Sequence, residues 1–171
     1  MSYIVVSPLS RIGETATLHK ALQMVTLINT GTPVERPAHI TPERHLFLGF
    51  NDINEPQDGM TPPGAEHIEQ FIDFAQAWDQ GSPLLIHCFA GISRSTAAAY
   101  ITAIALNPEH DENTLATLLR ERAPSATPNA RLIAIADDIL GRKGRMVDAI
   151  SGIGRGADAF EGTPFTLPIR S

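Results

Sequence analysis

Leu84-Leu85-Ile86-His87-Cys88-Phe89-Ala90-Gly91-Ile92-Ser93-Arg94-Ser95 is the stretch from which the rest of the chain is read. Its first three residues read as a short buried strand, and Thr96-Ala97-Ala98-Ala99-Tyr100-Ile101 just beyond it reads as the opening of a helix. A strand, a tight loop and a helix N-terminus together make an anion site, because loop amides turn inward and the helix dipole favours negative charge there. Gly91 lets the backbone turn tightly or approach a ligand closely. Phe89, Ala90, Gly91, Ile92 and Ser93 would line the seat, and Arg94 adds a planar fork of donors. Cys88 stands where the strand ends, so its sulfur falls at the floor of that cradle. The stretch reads as a phosphate seat with a nucleophile beneath it.

The residue types fit that chemistry. A thiolate, not a thiol, attacks phosphorus, and amides, a helix N-terminus, an arginine and a hydrogen-bond network behind His87 all favour the anion. Arg94, six positions after Cys88, can bridge two equatorial phosphoryl oxygens and hold them as charge redistributes in the transition state. Ser95 can donate to the sulfur when it must leave again in a second step.

His-Cys-x-x-Gly-x-x-Arg-Ser resembles the signature of the cysteine-dependent protein tyrosine phosphatase superfamily, and Ala90-Gly91-Ile92-Ser93-Arg94-Ser95 looks like its dual-specificity branch. The resemblance is concentrated in the loop and reaches more weakly over residues 46–140. It implies Cys88 as nucleophile, Arg94 as phosphate ligand and Ser95 as an aid to hydrolysis of the phosphoenzyme. It also implies a dual-specificity-phosphatase-like fold. The alternative is a buried cysteine that happens to precede a helix, and the number of matching positions at strand-to-helix punctuation weighs against it.

The bounds agree. A chain of 171 residues fits one domain with a substantial core, and 13 glycines and 13 prolines mark many turns. A formal charge of −6 argues against nucleic acid or an anionic membrane as partner. There is no long apolar run, and the N-terminus lacks a basic region followed by an apolar core, so a soluble, unexported, cytoplasmic protein is expected. The single cysteine excludes an internal disulfide and suits a reducing compartment. The six histidines form no spaced set with other ligand types, so neither metal nor cofactor is expected.

Outward from the loop, Tyr3–Ser7, Gln23–Asn29 and His45–Phe50 read as strands, and Val34–Arg44 as loop. Arg11–Lys20 reads as a turn or two of helix. Gly64–Asp79 has Ile68, Phe71, Ile72, Ala75 and Trp78 at helical spacing, with His67 off that stripe and solvated. Ser95–Leu106 is apolar nearly all round, which suits a central buried helix. Glu112–Ala123 and a helix opened by Pro128-Asn129 complete the body, with Asp137 and Asp138 as a solvated edge. The expected fold is therefore α/β, a single domain on a mostly parallel twisted sheet of four to five strands with helices on both faces. On the resemblance, residues 1–140 are expected to form the phosphatase-like catalytic domain. From Gly141 the composition shifts, Gly152–Gly156 reads as a flexible turn, and 141–171 is expected as an extension partly ordered against the same domain.

Phosphatases of this class need a neutral carboxylic acid to protonate the leaving oxygen, and in relatives it follows a strand some thirty-odd positions before the nucleophile. Asp52 resembles that placement, directly after Phe50-Asn51. Asp58, in Pro56-Gln57-Asp58-Gly59, has a shape like the acid loop of tyrosine phosphatases and is the second choice. Cys88 must be ionised while Asp52 is protonated, which predicts a bell-shaped rate profile peaking on the acidic side of neutrality. The variable loop positions Phe89, Ala90, Ile92 and Ser93 carry no basic side chain, which tilts the expectation to a singly phosphorylated protein or peptide, phosphotyrosine first. The alternatives are a phosphatase-like phosphate-binding module without turnover, a phosphatase of non-protein phosphomonoesters such as inositol phosphates, and, more remotely, sulfur transfer or arsenate reduction.

Overall fold

The computed structural model describes residues 2–170. In chain order the elements are β1 (Tyr3–Pro8), α1 (Ile12–His19), β2 (Gln23–Ile28), β3 (His45–Gly49), α2 (Ala65–Ala77), β4 (Leu84–Cys88), α3 (Arg94–Leu106), α4 (Glu112–Arg122), α5 (Ala130–Ile139), α6 (Arg145–Ile153) and β5 (Phe165–Pro168). The five strands form one sheet in the order β3-β2-β4-β1-β5. The pairs β1–β4, β2–β3 and β2–β4 are parallel, and β5 runs antiparallel along β1 at the edge. This is the α/β fold with a mostly parallel sheet that the strand spacing led one to expect.

Strands buried on both faces read as continuous apolar runs, and the side chains divide by the two-residue period. Ile4, Val6, Val25, Leu27, Leu84 and Ile86 join the larger core with α2 to α6. Val5, Met24 and Leu85 face the other way, onto Ile12 and Ala16 of α1 and onto Ile40. Helix α3 lies in the middle of the larger layer, buried from Arg94 through Ile104. Its run of alanines lets other elements approach closely on every side. Trp78 is buried, its Nε1 donating to the Ser82 carbonyl at 2.9 Å.

Three local expectations are corrected. His67 is not simply solvated: its ring lies 4.9 Å from that of Phe50, and its Nδ1 accepts from the Gly64 amide at 3.0 Å, closing the start of α2. Asp137 is buried, whereas its neighbour Asp138 is exposed. Its carboxylate accepts from the amides of Gly144 (2.8 Å), Met146 (2.8 Å) and Val147 (3.2 Å), and so satisfies donors that the start of α6 leaves open. Gly152 is no flexible turn, since it and Ile153 form the last turn of α6. Glu112 locks this corner by accepting from Arg142 Nε at 2.8 Å and Arg145 Nε at 3.0 Å.

Candidate active site

At the carboxyl end of the parallel strands the chain crosses from β4 into α3 through Phe89–Ser93, where loops of such sheets gather ligand-facing groups. Gly91 turns the loop with a φ of +71°, and a Cβ there would lie 2.9 Å from the backbone nitrogen of Pro8, so only glycine fits against the end of β1. The loop carbonyls are tied outward. Phe89 O accepts from the Leu9 amide at 3.0 Å, Ile92 O from Thr127 at 2.9 Å and Ser93 O from Asn129 at 3.1 Å. The loop is thereby fixed from outside, and its Gly91 amide turns inward to the sulfur.

Cys88 is 2% exposed but not sealed in apolar packing. Its Sγ lies 3.1 Å from Ser95 Oγ and accepts from the Gly91 amide at 3.3 Å. Arg94 is buried, with Nη1 donating to Asn29 Oδ1 and to the Phe50 carbonyl, both at 2.8 Å. Its Nε is buried and has no hydrogen-bond partner among the described residues. An unsatisfied buried donor costs about 1–3 kcal/mol, and here it belongs to a guanidinium anchored at its far end and rooted in the loop.

Asp52 joins this group from the loop after β3. Its Oδ1 accepts from Ser93 Oγ at 2.7 Å and from Asn129 Nδ2 at 2.8 Å, and the side chain is exposed. Asn129 also accepts the Leu132 amide at 2.9 Å as the cap of α5 and donates to the Ile53 carbonyl at 3.2 Å. Asp58 lies in an exposed turn, and among the described residues it makes no hydrogen bond to the nucleophile loop. The loop from Asn51 is closed at its neck by Asn51 N to Thr61 O at 2.8 Å and Thr61 N to Asn51 Oδ1 at 2.9 Å. The Phe89 side chain points away, 57% exposed, so its contribution to the seat is its backbone. Among the described residues no three His, Cys, Asp or Glu side chains meet as a metal site.

His87 lies behind the nucleophile, fully buried. Its Nδ1 is 3.3 Å from the Cys88 carbonyl, its Nε2 is 2.7 Å from Thr26 Oγ1, and that hydroxyl is 2.7 Å from His45 Nε2. One proton arrangement satisfies the whole file: His45 Nε2–H donates to Thr26, Thr26 to His87 Nε2, and His87 Nδ1–H to the carbonyl. Burial pushes the His87 imidazole down to about 4, with the Cys88 carbonyl opposing and His45 reinforcing the shift. Between about 4 and the ordinary 6.5 the unfolded chain holds a proton that the folded chain does not, so stability drains as pH falls through that window. The full loss from this group is roughly 3 kcal/mol. Urea midpoints from pH 7 down to pH 4 should therefore fall less steeply in His87→Gln than in the wild type, and equal slopes would contradict this origin.

Three polar contributors were not singled out by sequence: Asn29, Asn129 and Thr26. Asn29 and Asn129 stand at a strand end and a helix cap, the positions where side chains can reach a ligand loop, but the partners lie 65 and 77 positions away.

No family model matches this chain, and no curated protein matches it in sequence. Solved structures do match. DUSP15 is 17% identical, the match covering 88% of this chain and 96% of that one with a TM-score of 0.61. Human DUSP28 is 13% identical, covering 87% and 94%, with a TM-score of 0.60. The human tyrosine phosphatase-like serine/threonine/tyrosine-interacting protein is 17% identical, covering 80% and 90%, also at 0.60. At these identities the likeness is one of fold: the chain folds as dual-specificity phosphatases do.

Proposed function

We propose that this protein is a phosphomonoester hydrolase working through a phosphocysteine intermediate, a protein tyrosine or dual-specificity phosphatase. The observation that carries the reading is the buried Arg94 Nε, unpartnered among the described residues, at the end of the loop that starts from the chain's one thiol and whose carbonyls are held outward. A tetrahedral dianion supplies the acceptors such a group lacks.

In the first step the Cys88 thiolate attacks phosphorus in line, and a sulfur–phosphorus bond forms as the bond to the substrate oxygen breaks. Asp52 gives its proton to that oxygen. With two donors already on Oδ1, the proton resides on Oδ2. In the second step the Asp52 carboxylate takes a proton from water, the water oxygen attacks phosphorus, and the sulfur departs as a thiolate. Ser95 Oγ, at 3.1 Å, donates to it then. Arg94 holds the equatorial oxygens throughout.

The substrate reading is a singly phosphorylated protein or peptide, phosphotyrosine before phosphoserine or phosphothreonine. None of the variable loop positions Phe89, Ala90, Ile92 and Ser93 is basic, so Arg94 is the loop's one cationic side chain and the loop adds none for a second phosphate. No described helix is long and apolar enough to cross a membrane, and a nucleophilic thiol suits a reducing compartment such as the cytoplasm.

Steady-state hydrolysis of an aryl phosphate across pH tests the reading. Wild type should give a bell, its acid limb from ionisation of Cys88 and its alkaline limb from loss of the Asp52 proton. Asp52→Ala should lower kcat by about 100-fold or more and flatten the alkaline limb. Near-normal turnover in that variant would move the acid role to Asp58. No hydrolysis by wild type, with phosphate still bound, would favour the binding module.

A further inference from the structure

We propose that the strap from Gly154 to Pro164, between α6 and β5, is a working part of the phosphate seat, and that Gly162 is the positioning residue through which it acts on Cys88. The proposal builds on the phosphatase reading but is tested independently of turnover.

One peptide plane links the strap to the sulfur. The Gly162 amide donates to the Ala90 carbonyl at 2.7 Å. A trans peptide places its carbonyl and its N–H on opposite sides, so tying that carbonyl outward aims the following amide inward. That amide is Gly91 N–H, and it donates to Cys88 Sγ at 3.3 Å. The strap thus orients and polarises the very group that stabilises negative charge on the sulfur, since hydrogen bonds in series strengthen one another.

The contact leaves no room for a side chain at 162. A Cβ there would stand 2.7 Å from the Gly91 carbonyl oxygen and 3.4 Å from its carbon, with no flexible group to give way. Gly91 is itself pressed against Pro8, so the loop is held between the end of β1 on one side and the strap on the other.

The strap is pinned along its length. Arg120 Nη2 donates to the Gly154 carbonyl at 2.7 Å, Gly156 N to Thr127 Oγ1 at 3.0 Å and Ala157 N to the Pro124 carbonyl at 2.9 Å. Ser10 Oγ donates to the Glu161 carboxylate at 2.7 Å, and Phe165 then enters the sheet opposite Val6. Thr127 ties both the strap and, through its amide, the Ile92 carbonyl. On this reading the catalytic unit extends through β5.

Gly162→Ala in the full chain is the test, with Gly152→Ala as control, because a Cβ at 152 meets nothing within 4 Å. Three readouts apply: thiolate absorbance of Cys88 against pH, amide exchange at Gly91–Ser93, and direct binding of inorganic phosphate by calorimetry. In Gly162→Ala the thiolate should form at higher pH, loop amides should exchange faster, and phosphate should bind about 10-fold or more weakly. Gly152→Ala should match wild type in all three. A Gly162→Ala protein that folds with wild-type titration, exchange and phosphate affinity overturns the proposal. Should it fail to fold, Glu161→Ala releases the strap's pin on Ser10 and should shift the same readouts in the same direction, by about 2–3-fold in phosphate affinity. No shift there is equally fatal. If wild type hydrolyses no phosphate ester while Gly162→Ala still moves the Cys88 titration, the phosphatase reading fails and the role of the strap stands.

Discussion

Cys88→Ser is expected to lower hydrolysis of an aryl phosphate to background, a loss of at least about 10^4-fold, while inorganic phosphate still binds. Both halves follow from the geometry. Serine's shorter bond draws the hydroxyl back from Ser95 and the Gly91 amide, but the ties that hold the Phe89, Ile92 and Ser93 carbonyls outward do not involve the sulfur, so the cradle should persist. What disappears is the anion: the amide, hydroxyl and guanidinium that favour a thiolate cannot bring an alcohol to its oxyanion at neutral pH. Phosphate affinity should hold or rise, because the binding groups remain and a negative charge facing the phosphate has gone. The check is kcat beside direct binding of inorganic phosphate by calorimetry. More than about one per cent of wild-type turnover in Cys88→Ser would place the nucleophile elsewhere.

What the sequence revealed depended on the range over which each signal acts. The nucleophile loop was legible because all its parts are local. An apolar strand, one thiol, a glycine that must take positive φ and an arginine at the helix start lie within a dozen residues. Helices α2, α4 and α5 announced themselves by the spacing of their buried faces, and α3 by being apolar nearly all round. The C-terminal part was read less well, for physical reasons. Helix α6 buries Met146, Ala149 and Ile150 at good helical spacing, but the composition shift from Gly141 and the glycines of Gly152–Gly156 read as a break. Strand β5 has four residues ending in Pro168 and becomes a strand only because β1 offers it an unpaired edge.

The polar framework was hidden for a different reason. Thr26 meets His87 only through the register of β2 on β4. Asn29 meets Arg94 only because β2 lies next to β4 in the sheet order. Asp137 looked like surface until α6 returned to it with three open amides. Gly162 has no signature at all. Its glycine answers to a carbonyl 71 positions earlier, at a φ that asks nothing special of it.

The second large effect belongs to Arg94. Arg94→Lys keeps the charge and loses the planar fork, so it separates geometry from simple attraction. In the native site Nη1 is committed to Asn29 Oδ1 and the Phe50 carbonyl, which holds the plane of the guanidinium and leaves Nε for the anion. One ammonium cannot satisfy two protein acceptors and also bridge two phosphoryl oxygens in a fixed plane. The expected loss in kcat is about 10^3-fold, in the range seen when an arginine or oxyanion donor is removed from a transition state. Phosphate binding should weaken by a smaller factor, about 10-fold, since Coulomb attraction survives. That split is the diagnostic, because a merely electrostatic role would lower both together or neither. Arg94→Ala should cost more in turnover and also destabilise the fold, by about 1–3 kcal/mol for each acceptor left unpaired. A melting curve beside the kinetics therefore keeps the two losses apart. If Arg94→Lys retained kcat within a few-fold of wild type, the guanidinium would be only an anchor between β2 and the nucleophile loop, and the transition-state charge would have to rest on the loop amides alone.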